Sequence, residues 1–187
     1  HDDFCWHFIP DNSKRNYYRL SSKSRVNIVP GFKDELYFIF DNKLFTANTS
    51  GIKEIKLSDD GKKLTFHSIV NYGNNILLLV NKENDNRNYL YKLNNNGLNG
   101  KLELPEALKS KSTDIILNCD NRNTLWLNSS NGVYYKLEET WKKVFDTDHF
   151  SYIFKVFQFE DYFIIWSTNI NGKYGLWHYN LVFGKKI

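Results

Sequence analysis

Between Asn12 and Lys33 the chain carries six cations, Lys14, Arg15, Arg19, Lys23, Arg25 and Lys33, and no carboxylate. Tyr17 and Tyr18 stand among them. Cations interleaved with rings suit a phosphate backbone whose bases stack on the rings, a sulfated glycan or an acidic protein. They equally suit a solvated strand edge, where charge discourages pairing with foreign sheets. The whole chain has a formal net charge of +4, short of the excess carried by a dedicated nucleic-acid binder, so a nucleic-acid partner is not expected.

Other residues could do chemistry but lack the spacing that would select them. The terminal amine and imidazole of His1 could hold copper, which imidazole suits, with His7, His67, His149 or His178 completing the set. Asp146, Asp148 and His149 in DTDHF fit an acid–base pair or metal site, and fit a polar linker as well. Asp59-Asp60 and Glu138-Glu139 read as turn and surface residues, and spacing alone does not place the two carboxyl groups a glycosidase needs. No glycine-rich phosphate loop, nucleophile elbow or clustered zinc-ligand spacing occurs. The expectation is no catalytic residue, no metal and no cofactor. Trp141, between Glu138-Glu139-Thr140 and Lys142-Lys143, could stack on a sugar or anchor a protein contact, or simply pack. Trp126, Trp166 and Trp177 lie in apolar runs and are expected in the core.

The elements that would position these residues repeat. Four runs, ELYFIF (35–40), NILLLV (75–80), TLWLNS (124–129) and DYFIIW (161–166), recur at a period of roughly 40 residues, the mark of a repeat architecture. Ahead of each lies another strand-like segment: RVNIVPGF, KLTFHSIV, TDIILNC and SYIFKVFQF. Behind each come two more polar runs, such as KLFTANTS and GIKEIKLS in the first copy. Runs rich in Val, Ile, Tyr, Phe and Trp bounded by Asn, Asp and Gly are strand signals. Asp41-Asn42, Asn95-Asn96-Gly97, Ser130-Asn131-Gly132 and Asn171-Gly172 stand where hairpins must reverse. LPEALKSK (104–111) is the one candidate helical turn.

The fall from apolar second runs to polar fourth runs fits a four-stranded blade whose outermost strand meets water. The predicted fold is all-β and β-propeller-like, with about four four-stranded antiparallel blades at 25–63, 64–111, 112–150 and 151–187. FCWHFIP (4–10) and NYYRLSS (16–22) add a partial blade or accessory hairpin within 1–24. A β-sandwich is the alternative. At Leu57 to Ser68, LSDDGKKLTFHS resembles the LSPDGKKLAF-type signature of TolB-like propeller repeats, with Asp59 where that family has Pro. The resemblance implies a turn between blades and no activity, because propellers host unrelated functions.

Composition sets the setting. No 18-residue apolar run exists, so no membrane-spanning helix is expected. The chain contains no methionine, which predicts a processed or excised product. Asn48-Thr49-Ser50 and Asn128-Ser129-Ser130 are glycosylation sequons, and Cys5 and Cys119 permit one disulfide or two thiols. Together these features predict a non-catalytic, secreted module that recognises a protein through propeller loops, such as 82–88 and 94–100, or through an open blade edge. Another chain completing the propeller is one form of that partner. A lectin-like glycan-binding protein is the alternative, and a copper- or carboxylate-dependent carbohydrate-active enzyme is the third reading.

Overall fold

The computed structural model describes residues 28–110, 115–120, 122–129, 132–145, 150–158, 162–169, 171, 173–180 and 185–186. They form four antiparallel sheets. The first contains β1 (Ile28–Pro30), β2 (Leu36–Phe40), β3 (Lys43–Asn48) and β4 (Gly51–Ile55). The second contains β5 (Ser58–Asp59), β6 (Lys62–Tyr72), β7 (Asn75–Lys82), β8 (Asn88–Asn94) and β9 (Gly97–Leu102). The third contains β10 (Ile115–Cys119), β11 (Leu125–Ser129), β12 (Gly132–Leu137) and β13 (Thr140–Phe145). The fourth contains β14 (Phe150–Gln158), β15 (Tyr162–Asn169), β16 (Tyr174–Asn180) and β17 (Lys185–Lys186). Each strand pairs with its neighbours in the chain, so every sheet is a meander. The predicted helical turn is a 3-10 turn at Glu106–Leu108, with Leu108 fully buried.

Turn chemistry makes these meanders. Asp41 and Asn42 take φ of 48° and 57°, the pair of positive values that a two-residue hairpin turn needs. Gly61 and Gly97 take φ of 73° and 109° at the β5–β6 and β8–β9 reversals. The Asn96 backbone N–H donates to Asn94 Oδ1 at 2.9 Å, so the side chain itself closes the turn. The two Asn-rich stretches expected as long loops are therefore short. Residues 97–102 are strand, and Lys82 and Asn88 are buried strand ends.

Successive sheets stack face to face. Val29, Tyr37, Ile39 and Leu44 of the first sheet share one cluster with Leu64, Phe66, Ile69, Ile76, Leu78, Val80, Tyr91 and Leu93 of the second. The other face of the second sheet, through Leu77, Leu79 and Leu90, shares a second cluster with Ile115, Leu117, Leu125, Leu127 and Tyr134 of the third. The fourth sheet meets the third where β14 lies against β10 and β11. A two-layer sandwich has one interior, whereas the second sheet here lies between two. The continuous apolar run of β7 follows from that position, since alternate side chains feed opposite clusters.

Polar groups tie the layers together. The Phe66 N–H donates to Asn42 O at 3.0 Å, joining the first sheet's hairpin to β6. The Leu117 N–H donates to Ser68 Oγ at 3.1 Å, joining β10 to β6. His67 Nε2 meets Asn81 Oδ1. Asn81 Nδ2 donates to Asn88 Oδ1 at 2.8 Å, and Asn88 Nδ2 donates to Leu108 O and Ser110 O at 3.0 and 2.6 Å. This chain of amides fixes the linker after β9 against the β7–β8 hairpin.

Asn128 breaks the pattern. It is 2% exposed on the face of β11 turned away from the second cluster, and neither amide atom has a hydrogen-bond partner. A buried site of this kind has no room for a glycan, so Asn128 is not a glycosylation position in this fold. The equivalent residue of the second sheet is Leu79. Asn128→Leu is expected to raise the unfolding free energy by about 1 kcal/mol in urea denaturation, because it removes unsatisfied buried donors and acceptors at nearly constant volume. A loss of stability would show that the amide has a partner in solution.

Candidate functional site

The TolB-like stretch forms β5, a tight turn and the start of β6. Asp60 and Gly61 supply the turn with φ of 52° and 73°. Asp60 is exposed, as expected of a turn carboxylate. Asp59 is not a bystander. Its Oδ2 accepts from Tyr91 Oη at 2.5 Å and from Lys101 Nζ at 3.0 Å, and it pairs with Lys82 Nζ. Lys82 is 8% exposed and its ammonium sits 4.9 Å from the Tyr89 ring centroid. Lys101 lies 5.1 Å from the Tyr91 centroid, and Tyr89 Oη donates to Asp85 Oδ2 at 2.7 Å.

The electrostatics of this cluster decide its chemistry. Hydrogen bonds from Lys82 and Tyr91 hold the Asp59 carboxyl well below the usual carboxylate range. The Asp59 partner raises the pKa of both Lys82 and Lys101, and burial with the same carboxylate raises that of Tyr91. A general acid needs a raised carboxyl pKa and a nucleophilic lysine a lowered one. Every shift here runs the other way. The cluster locks charges in place and pins the outer strands β8 and β9 to the β5–β6 turn.

Beside it a groove of about 540 Å³ opens between the first two sheets, walled by Lys43, Glu54, Lys56, Ser58 and Lys63. Lys43 and Glu54 face each other at 3.8 Å across β3 and β4. The mixed charge of this wall selects no ligand class.

A third feature emerges when the sheets are superposed by register. On the face turned to the next sheet, the second and third strands pair Ile39 with Leu44, Leu79 with Leu90, Asn128 with Val133, and Trp166 with Leu176. The first three pairs are buried at 8% exposure or less. In the fourth, Trp166 is 47% and Leu176 72% exposed. Trp166 was expected in the core. Its neighbour Ile165, on the opposite face, is fully buried. On the faces turned to the preceding sheet the second and third strands pair Leu78 with Tyr91 and Leu127 with Tyr134.

The remaining candidates fall as follows. Lys14, Arg15, Tyr17, Tyr18, Arg19, Lys23, Arg25, Cys5, His1 and His7 lie outside the described residues, as do Asp146, Asp148 and His149. Trp141 packs half-buried against the second cluster, and its Nε1 donates to Glu103 O at 2.7 Å, a tie from β13 to the linker after β9. Asn48 Nδ2 donates to Glu35 Oε1 at 3.4 Å, and its Oδ1 accepts from the Ser50 N–H at 2.9 Å. The Cys119 sulfur donates to Asn123 Oδ1 at 3.5 Å, and no disulfide occurs among the described residues. Asp120, which sequence reading passed over, accepts the indole N–H of buried Trp126 at 2.8 Å while its other oxygen caps the following turn.

Asp59 gives a pH test with a defined sign. Its folded pKa is depressed below the ordinary 3.8, so its contribution is complete above that value and fades as pH falls below it. Asp59→Asn should lower stability at pH 7 and flatten the acid limb of the stability–pH curve below about pH 4. Lys82→Met should cost about 3 kcal/mol at pH 7 by leaving a carboxylate short of its buried cation. Parallel acid limbs for wild type and Asp59→Asn would remove Asp59 from the account.

No family model matches this chain, and no curated protein matches it. Among solved structures it is similar to the extracellular domain assigned to a one-component system of B. thetaiotaomicron, at 15% identity and a TM-score of 0.47. The match covers 95% of this chain and 32% of that one, so the chain spans about a third of the structure it resembles. Likeness of that degree assigns neither ligand nor activity here.

Proposed function

We propose that the chain is a non-catalytic, extracellular interaction module, that its sheets are blades of a β-propeller-type ring, and that it binds a protein partner through the Trp166–Leu176 face of the fourth sheet. The observation that carries this reading is the exposure of that one pair, where its three counterparts are buried. Large apolar side chains exposed at a register position that is buried in the other three sheets suit a protein contact.

The ring reading rests on the inner strands. β6 lies against β1 and β10, and β10 lies against β14, so the leading strands of successive sheets are neighbours in series. That placement suits sheets arranged about a common axis. The charge states of the Asp59 cluster favour binding over catalysis. The extracellular setting follows the sequence expectation, with Asn48-Thr49-Ser50 at the β3–β4 turn as the sequon next to solvent.

A photo-crosslinking residue placed at position 176, with position 53 on the exposed outer strand β4 as control, tests the reading in cells that produce the protein. A discrete protein adduct at 176 and none at 53 is the expected result. Adducts equal at both positions, or none at 176, would contradict it, and the latter is what a glycan ligand would give.

A further inference from the structure

Buried asparagines meet two fates in this chain. Asn81 Nδ2 donates to Asn88 Oδ1, and Asn88 Nδ2 donates to linker carbonyls. Asn118 and Asn128, 7% and 2% exposed, are buried without such partners. Asn118 Nδ2 and both amide atoms of Asn128 have no hydrogen bond. They are three of the five unpaired buried side-chain polar atoms found among the described residues, so the cost is concentrated at one place.

Register puts that place at a junction. Across β10 and β11, Asn118 pairs with Trp126 and Ile116 with Asn128, so these four residues share a face. The alternate residues Leu117 and Leu127 enter the second cluster, on the face turned to the second sheet. β14 lies against β10 and β11, which sets the asparagines where the third and fourth sheets meet. Trp126 offers them nothing, since its indole N–H donates to Asp120 Oδ2 at 2.8 Å.

The matching positions of the first two sheets are apolar. Superposed by register, Val29 and Val70 stand where Asn118 does, and Ile39 and Leu79 where Asn128 does. All four pack in the two apolar clusters. An unpaired buried amide shifts a folding equilibrium by about fivefold or more. Opening of this junction would hydrate three such atoms and break no hydrogen bond of theirs. Burial of Trp126 and Val133, both fully covered, favours the closed form. The fourth sheet holds together on its own, because β15 is laddered to β14 and to β16 along most of its length.

We infer that the junction between the third and fourth sheets is a built-in opening plane, at which β14–β17 separate from β10–β13 as one unit while the first three sheets stay stacked. Trp166 and Leu176 travel with that unit, so opening moves them relative to the rest of the chain. The opening does not depend on their having a partner.

Native-state hydrogen exchange on the full chain, read by peptide mass, tests this. In wild type, amides of β14, β15 and β16 are expected to share one level of protection, below that of β10 and β11. Asn128→Leu and Asn118→Val install the residues of the matching positions in the second sheet. Each is expected to raise protection in β14–β16 about fivefold. Leu117→Val, on the opposite face of β10, is expected to lower protection in β7 and leave β14–β16 unchanged, because the open form keeps position 117 packed. Equal protection in β11 and β15 of wild type would overturn the inference. So would Asn128→Leu raising protection in β7 but not in β15, or lowering it in β15. A fall in β14–β16 with Leu117→Val as large as that in β7 would overturn it too, because the fourth sheet would then open only with the rest.

Discussion

The structure depends on the second sheet having a neighbour on each side. Ile76, Leu78 and Val80 point one way from β7, and Leu77 and Leu79 point the other, all at 2% exposure or less. Alone, that strand would present both rows to water, at a cost of about 1.5 to 3 kcal/mol per large apolar side chain. The first and third sheets remove that cost, and in doing so they fix their own positions. Stacking is therefore the condition under which these sequences are stable as sheets, rather than a later step applied to finished domains.

Polar interactions occupy what stacking leaves. The Asn81–Asn88 amides satisfy linker carbonyls that would otherwise be buried without donors, and Asp59 neutralises the nearly buried Lys82. Both networks sit at sheet ends, where a strand leaves the apolar layer and its backbone needs partners. They resemble catalytic constellations in composition and differ from them in electrostatics. In the Asp59 network Asp59, Lys82, Lys101 and Tyr91 are each held in their ordinary charged or neutral form, which serves adhesion between strands and not proton transfer.

Much of the fold was legible in the sequence because it rests on local signals. The period of the apolar runs, the Asn and Gly at reversals and the fading fourth runs each follow from one sheet's own needs. The site was less legible because it rests on contacts between sheets. Asp59 meets partners 23 and 42 positions away, at spacings that belong to no motif, and the carboxylate pair alone reads as a turn. Trp166 sits in a run as apolar as that of Leu79, so its hydrophobicity announces burial, yet it is 47% exposed. One signal was available. The dipeptides Leu44-Phe45, Leu90-Tyr91, Val133-Tyr134 and Leu176-Trp177 repeat an aliphatic–aromatic order in the third run of each copy, and in the second sheet Leu90 and Tyr91 do enter opposite clusters.

Sheets held by their neighbours should be most stable where both faces are enclosed and less so where large apolar side chains are exposed. Native-state hydrogen exchange measures this residue by residue. Amides of β7, enclosed on both faces, should exchange only through global unfolding, while those of β16 should exchange through a smaller local opening. Equal protection in β7 and β16, or greater protection in β16, would contradict the dependence of each sheet on its neighbours.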